Sequence, residues 1–429
     1  MVCQKISYEQ LDGFVHTHPM ANHIKTTAYG RVEKKWNESV VALGFFQSET
    51  LVATAMVLVH RNLFGTHWYI PGGICVDMQD LPLVKRVYLA LKEEAKKAKV
   101  IYVRVDPDVE RRKHFPDGSI DESGFDNHYI TESLQSWGFT HLGYNYGYSG
   151  NVQSRYTLIL DIDRSMEDIY ATMHASNRSF HRKNQRRGVY TVLEGKEKLV
   201  LLHRFAKELA QKQHFMPKSV KFFEQLLERY QESAHYFVSY VNLDIAIENI
   251  QSEINENQLL LNTLDSTVKR SKGAIKEASR TLESLEQELE VYREYRMSHQ
   301  AVVPIGAAIF TRCHKTSYDL YLYTTKTISS LRPAIDLHLF AIELMKGNGC
   351  TKYDFVGISG STDPSDPFYG LYDFKRRFGG DFIEYLGEFD LIFNQKKRDL
   401  SVKAHKLRRR VERKLIREYY LRIKGKKHD

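Results

Sequence analysis

Cysteine is scarce in this chain, and what there is lies scattered. Cys3, Cys75, Cys313 and Cys350 form no Cys-x-x-Cys pair and no Cys/His cluster. That spacing argues against structural zinc and for reduced, buried thiols. Long apolar runs are missing too. The longest nearly uncharged one, Leu51–Val59, has nine residues, too few to span a bilayer. The opening MVCQKISYEQ lacks the apolar stretch of a signal peptide, so a cytosolic protein is expected. Proline is absent between Pro217 and Pro304, and aromatic residues are absent from Asp244 to Val291.

Elsewhere the composition is that of a globular chain. Of 429 residues, 42% are hydrophobic and 12% aromatic, enough to build cores for two to three domains. Charged residues, at 27%, rule out wholesale disorder. The net charge of +9 is concentrated at the end: residues 394–429 hold 15 Lys/Arg against 4 Asp/Glu, which leaves the remainder near neutral. Such a tail suits an anionic partner, nucleic acid or membrane, or else is a solvated helix. Val402, Leu407, Val411, Leu415, Tyr419 and Ile423 recur at mostly helical spacing within it. A basic amphipathic helix of this kind is expected at the inner membrane surface.

The segment poor in proline and aromatics carries a heptad-like seam. Ile247, Ile250, Ile254, Leu261, Leu264 and Val268 are followed by Ile275, Ala278, Leu282, Leu285, Leu289 and Tyr292. Asn257 sits within the seam, and Ser271-Lys272-Gly273 offers a turn. The expectation is an antiparallel coiled-coil hairpin over 242–299, with arms of about 24 residues and roughly 36 Å. One continuous helix is the rival reading. Strand-like runs at 235–241 and 302–310 flank the insert, and a hairpin returns the chain to one sheet.

With the insert set aside, the two halves look alike. ETLVATAMVLVH, THWYIPGGICVD, a helix near 83–97 and KVIYVRVDP match VVPIGAAIFTRC, SYDLYLYTT, a helix near 332–345 and TKYDFVGIS. Val, Ile and Tyr mark the strands. The pattern predicts a mixed α/β fold of two similar domains, 1–160 and 161–393, with a basic tail at 394–429. A cleft between them is the expected ligand site.

Several stretches together resemble the Fem family of peptidoglycan aminoacyltransferases. They are Tyr29–Trp36, Tyr69-Ile70-Pro71-Gly72-Gly73, Val103-Arg104-Val105-Asp106-Pro107, Tyr353–Gly360, Gly370–Gly379 and Glu384–Glu388. Their order holds over about residues 5–395, and the insert is similar to that of the FemA and MurM kind, whereas FemX lacks one. The resemblance implies two acetyltransferase-like domains. It implies transfer of an amino acid (Ala, Ser or Gly) from aminoacyl-tRNA to the stem-peptide lysine, or growing bridge, of a precursor such as lipid II. Aminoacyl-tRNA is the co-substrate; no metal or other cofactor is implied. The expected location is cytoplasmic, peripheral at the inner face of the membrane.

The chemistry is aminolysis of an ester, which needs a neutral amine and a stabilised oxyanion. By resemblance Lys375 is the expected fixed cation and Phe374 a stacking platform, with Arg376 beside them; a solvated basic turn is the plain alternative. Asp106, at a strand exit before Pro107, is expected to orient the acceptor ammonium or take its proton, although Asp-Pro is also ordinary turn chemistry. Lys218 and Phe222 match an arginine and a tyrosine of FemX, and Glu33 stands at a lysine; these departures favour a lipid-linked over a nucleotide acceptor. Tyr321 and Tyr323 are expected at the cleft or in the core. Arg178, Arg182, Lys183, Arg186 and Arg187 share one helical side and are expected to grip tRNA phosphates, or to be a solvated face. His16, His18, His60 and His67 show no ligand spacing. The competing functions are a non-catalytic RNA-binding adaptor and an acetyl-CoA enzyme, the latter lacking its pyrophosphate loop.

Overall fold

The computed structural model describes residues 1–34, 38–148, 153–264, 271–325, 328 and 330–425. The first part of the chain forms β1 (Val2–Lys5), α1 (Tyr8–Thr17), α2 (Thr27–Glu33), β2 (Glu38–Gln47), β3 (Thr50–Asn62), β4 (Gly65–Ile70), α3 (Leu81–Lys97) and β5 (Tyr102–Val105). There follow β6 (Glu110–Arg112), α4 (His128–Ser136), β7 (Phe139–His141), β8 (Tyr156–Asp161), α5 (Met166–Thr172), α6 (Ala175–Arg186) and β9 (Val189–Leu193). Next are α7 (Leu199–Gln213), α8 (Val220–Tyr230), β10 (Ala234–Asn242), α9 (Leu243–Thr263), α10 (Ser271–Ser298), β11 (Val302–Cys313) and β12 (Thr316–Thr324). The chain ends with α11 (Pro333–Gly347), β13 (Lys352–Asp354), α12 (Tyr369–Arg376), β14 (Asp381–Tyr385), β15 (Phe389–Ile392) and α13 (Gln395–Gly425).

Two mixed sheets result, ordered β1-β2-β3-β4-β5-β15-β7 and β6-β14-β8-β13-β12-β11-β10-β9. The same wiring occurs in both. β3 pairs antiparallel with β4, α3 crosses over, and β5 returns parallel to β4. β11, β12, α11 and β13 repeat that sequence. Local chemistry starts the crossover helices: Asp80 caps α3 by accepting from Leu83 N at 2.9 Å, and Pro333 opens α11, where its missing N–H costs nothing. Val84, Val87, Tyr88, Leu91 and Ala95 then bury one face of α3 against the first sheet.

The sheets do not divide the chain into two blocks. The boundary expected at 160 falls inside β8, a strand of the second sheet, while β15 returns to the first sheet between β5 and β7. β6 in turn pairs with β14. A buried fork holds the return: Arg104 donates to Asp390 at 2.8 and 3.0 Å, and Arg398 reaches the same fully buried carboxylate at 2.6 Å.

Between β10 and β11 the chain leaves the sheet and comes back, with Asn242 opposite Val302. α9 and α10 occupy the excursion and bury Ile250, Ile254, Leu285, Leu289 and Tyr292 together. Ser271-Lys272-Gly273, expected as the turn, instead opens α10; Ser and Lys are compatible with a helix start, and Gly273 meets nothing within 4 Å. Val268 lies outside the described residues.

The basic side of α6 clamps this excursion. Arg187, 2% exposed, donates to Glu253 of α9 at 2.7 and 3.0 Å and to Glu288 of α10 at 3.1 Å. Lys183 pairs with Glu288 at 3.0 Å, and Arg186 approaches Glu253 at 3.7 Å. Removing one member of a buried ion cluster strands its partners. Arg187→Met should therefore cost on the order of 3 kcal/mol in urea denaturation, whereas exposed Arg182→Met should leave stability unchanged. Equal effects would contradict the clamp.

Candidate active site

The two parallel pairings end at comparable places. β4 and β5 part after Ile70 opposite Val105, and β13 leaves β12 after Tyr318 opposite Asp354. Asp106 follows the first pairing and Asp354 closes the second. Both acids line one pocket of about 110 Å³ between the sheets, shared with Asp108, Arg155, Gly357 and Glu388.

Asp106 is buried. It accepts from Tyr69 Oη at 2.7 Å and from the Gly72 backbone N–H at 2.8 Å. Pro71-Gly72-Gly73 makes this approach possible, because Gly73 has φ of 73° and a Cβ there would lie 3.0 Å from Pro107 Cα. Burial pushes the Asp106 carboxyl well above the usual carboxylate range, and neighbouring Glu388 adds to the push. Asp354 accepts from Thr157 Oγ1 and from Val356 N at 2.8 Å. Burial raises it to about 6. Asp108 is held differently, by Lys25 at 2.6 Å, itself 2% exposed. Arg155 bonds Glu384, and His23 is kept neutral by burial, its pKa lowered to about 3. The pocket is thus rich in carboxyls, which suits an incoming amine.

Lys375 does not present a free ammonium to this pocket. It is buried, and its Nζ donates to the carbonyls of Phe355 (2.5 Å), Val356 and Gly357 (3.3 Å). Val356 and Gly357 both have positive φ, so their carbonyls turn inward onto the charge, and both line the pocket. Asp319 and Asp354 support that charge against the desolvation that lowers its pKa. Phe374 faces the core, half-buried beside His338 and Phe378. Arg376 is exposed and paired with Asp373 at 2.7 Å.

A second group gathers along the same junction. Lys218 lies 4.0 Å over the Phe222 ring and 3.8 Å from Glu33. Phe222 and Phe223 meet Tyr321 edge-on, and Tyr323 is half-buried beside this cluster. Tyr29 links the group to the pocket by accepting from Gln153 Nε2 at 2.7 Å. The five basic residues of the α6 region do not reach the pocket. Besides the clamp residues, Arg178 is spent on the carbonyls of Ala171 (2.9 Å) and Met173, and Arg182 points to solvent. Asp354, Asp108, Lys25 and Arg155 were not singled out from sequence, although the internal repeat sets the two strand ends that carry Asp106 and Asp354, one residue apart in register, in corresponding places.

Burial raises Asp319, like Asp354, to about 6. The folded chain therefore holds protons that the unfolded chain has released, and stability falls as pH rises from the ordinary carboxylate range through 6. Lys375→Met removes the charge that restrains both shifts. Its stability loss relative to the parent, read by urea denaturation, should be larger at about pH 8 than at about pH 5; equal losses would contradict the coupling.

The sequence matches the FemAB family over residues 6–406. The lipid II:glycine glycyltransferase of Staphylococcus aureus is 26% identical over 405 residues, covering 91% of this chain and 92% of that one. The same protein of strain N315 gives the same figures. Among solved structures, FemX superposes with a TM-score of 0.73 over 94% of this chain and 100% of the other at 22% identity, a likeness of fold. With a match spanning nearly its whole length, the chain belongs to the FemAB family.

Proposed function

We propose that this chain is an aminoacyltransferase that moves an amino acid (Ala, Ser or Gly) from aminoacyl-tRNA to the stem-peptide lysine, or growing bridge, of a lipid-linked peptidoglycan precursor such as lipid II. The observation that carries the reading is the pair of buried carboxyls, Asp106 and Asp354, at equivalent strand ends facing one pocket. Family membership and the lipid II:glycine glycyltransferase relative support the reaction class.

In this reading the acceptor enters as an ammonium and gives a proton to Asp106. A carboxyl raised towards the working pH is a better base than an ordinary one. The freed amine attacks the ester carbonyl, the tetrahedral oxyanion collapses, and the tRNA 3′-oxygen leaves with the proton given up by the attacking nitrogen. Lys375 acts as a positioning residue, fixing the Val356–Gly357 carbonyls and placing positive charge behind them. Lys218, Phe222, Tyr321 and Tyr323 extend the acceptor groove. The Lys218–Glu33 pair is a weak site for a free nucleotide diphosphate, which favours a lipid-linked substrate. The helical hairpin and exposed Arg182 contribute to tRNA contact. A non-catalytic adaptor would not need two desolvated carboxyls in one pocket.

The test is transfer of labelled Gly, Ala and Ser from charged tRNA to purified lipid II. One of the three should transfer, and its absence with all three rejects the proposal. Lys375→Met should lower kcat by about 10²-fold with KM little changed, through misplacement of the pocket wall; activity within threefold of the parent would remove Lys375 from the site.

The tail completes the proposal. α13 is fastened at one end through Arg398 to Asp390 and Ser401 to Asn62, and at the other through Tyr420 Oη to Phe215 O at 3.0 Å. Between these anchors Leu407 and Leu415 are 61% and 59% exposed among basic residues. Among the described residues no helix is long and apolar enough to cross a membrane. We place this stripe on an anionic bilayer, close to the lipid-linked acceptor. The full chain should pellet with anionic vesicles at moderate salt, and Leu407→Asp with Leu415→Asp should not. Equal pelleting would reject the membrane role, and weakened tRNA affinity alone would assign the tail to the donor.

A further inference from the structure

Away from the cleft, a larger cavity of about 480 Å³ opens where α5, α6, β9 and α11 meet. Tyr170, Tyr190 and Phe340 contribute aromatic walls, and Glu167 and Glu343 contribute exposed carboxylates. Among the described residues neither carboxylate has an ion pair or hydrogen-bond partner. His181 also lines the cavity. Its Nδ1 lies 2.8 Å from Asp336 Oδ1, and Asn184 donates to the other oxygen of that buried carboxylate. A carboxylate only accepts, so this contact assigns a ring hydrogen to Nδ1, and in the neutral ring Nε2 is then an acceptor.

The chain carries a net +9, yet among the described residues no Lys or Arg lines this cavity. Its carboxylates and ring nitrogen accept hydrogen bonds, and its aromatic faces attract positive charge. A ligand that satisfies all of them donates hydrogen bonds, is positively charged and has an apolar portion. We propose that this cavity binds an organic ammonium ion, a primary amine on an apolar stem, independently of the transfer cleft. Met166 and Leu339 face the stem, while Glu167, Glu343 and His181 Nε2 take the ammonium hydrogens. Two sources share that chemistry, a free alkylamine or diamine and the lysyl side chain of a peptide.

Calorimetric titration of the full chain with n-pentylamine, 1-pentanol and pentanoate isolates the charge. Pentylamine should saturate one site, and the alcohol and acid should bind at least about tenfold more weakly. Glu167→Gln with Glu343→Gln, both at exposed positions, should weaken pentylamine by about tenfold or more while circular dichroism stays that of the parent. Cadaverine and Nα-acetyl-lysine methylamide then separate the sources: whichever binds tighter identifies the free amine or the peptide. Equal affinity for pentanol and pentylamine, no effect of the double substitution, or no saturable pentylamine binding in the millimolar range would each overturn the proposal.

Discussion

Three backbone carbonyls, those of Phe355, Val356 and Gly357, converge on the single ammonium of Lys375. This contact determines how β13 leaves the second sheet. A parallel pair normally continues for as long as both strands have partners. Here the pairing stops at Asp354, because the next carbonyls turn towards a buried charge rather than towards β12. The desolvation of that charge is offset in part by Asp319 and Asp354. The pocket wall and the inward turn at Val356 and Gly357 follow from the same ammonium, which also restrains the rise that burial imposes on the Asp354 carboxyl.

The first sheet reaches an equivalent end by other means. Among the described residues no lysine bonds Asp106; a tyrosine hydroxyl and one backbone N–H hold its carboxylate. The two ends meet because the strands are exchanged between the sheets. β15 carries the chain back beside β5 after β14 has paired in the second sheet, and the Arg104–Asp390–Arg398 fork secures that crossing. The cleft therefore belongs to neither half alone. Its acids are desolvated because two sheets close over them, and a desolvated acid is one that can take a proton from an amine near neutral pH.

Much of the fold was legible in the sequence. The runs ETLVATAMVLVH and VVPIGAAIFTRC read as strands, and the stretch near 83–97 reads as an amphipathic helix. Strand exchange was not legible. β6 has three residues and β15 four, too short for any period to show, and their partners are set by buried ion pairs far apart in sequence. Charge misled for a related reason. The spacing of Lys183, Arg186 and Arg187 shows that they share a side of a helix but not what covers that side. Glu253 and Glu288, which cover it, lie 66 and 101 residues from Arg187. Lys375 was found through resemblance, but its burial and its three carbonyl partners became visible only in the folded chain.

Whether Asp106 receives the acceptor's proton is read from a single-turnover pH–rate profile of transfer to lipid II. The rate should rise with pH through a step well above the ordinary carboxylate range, because only the ionised carboxyl accepts the proton. Asp106→Asn should lose that step and retain only the rise that belongs to the amine itself. A substituted enzyme that keeps the same step and the same plateau would contradict the account.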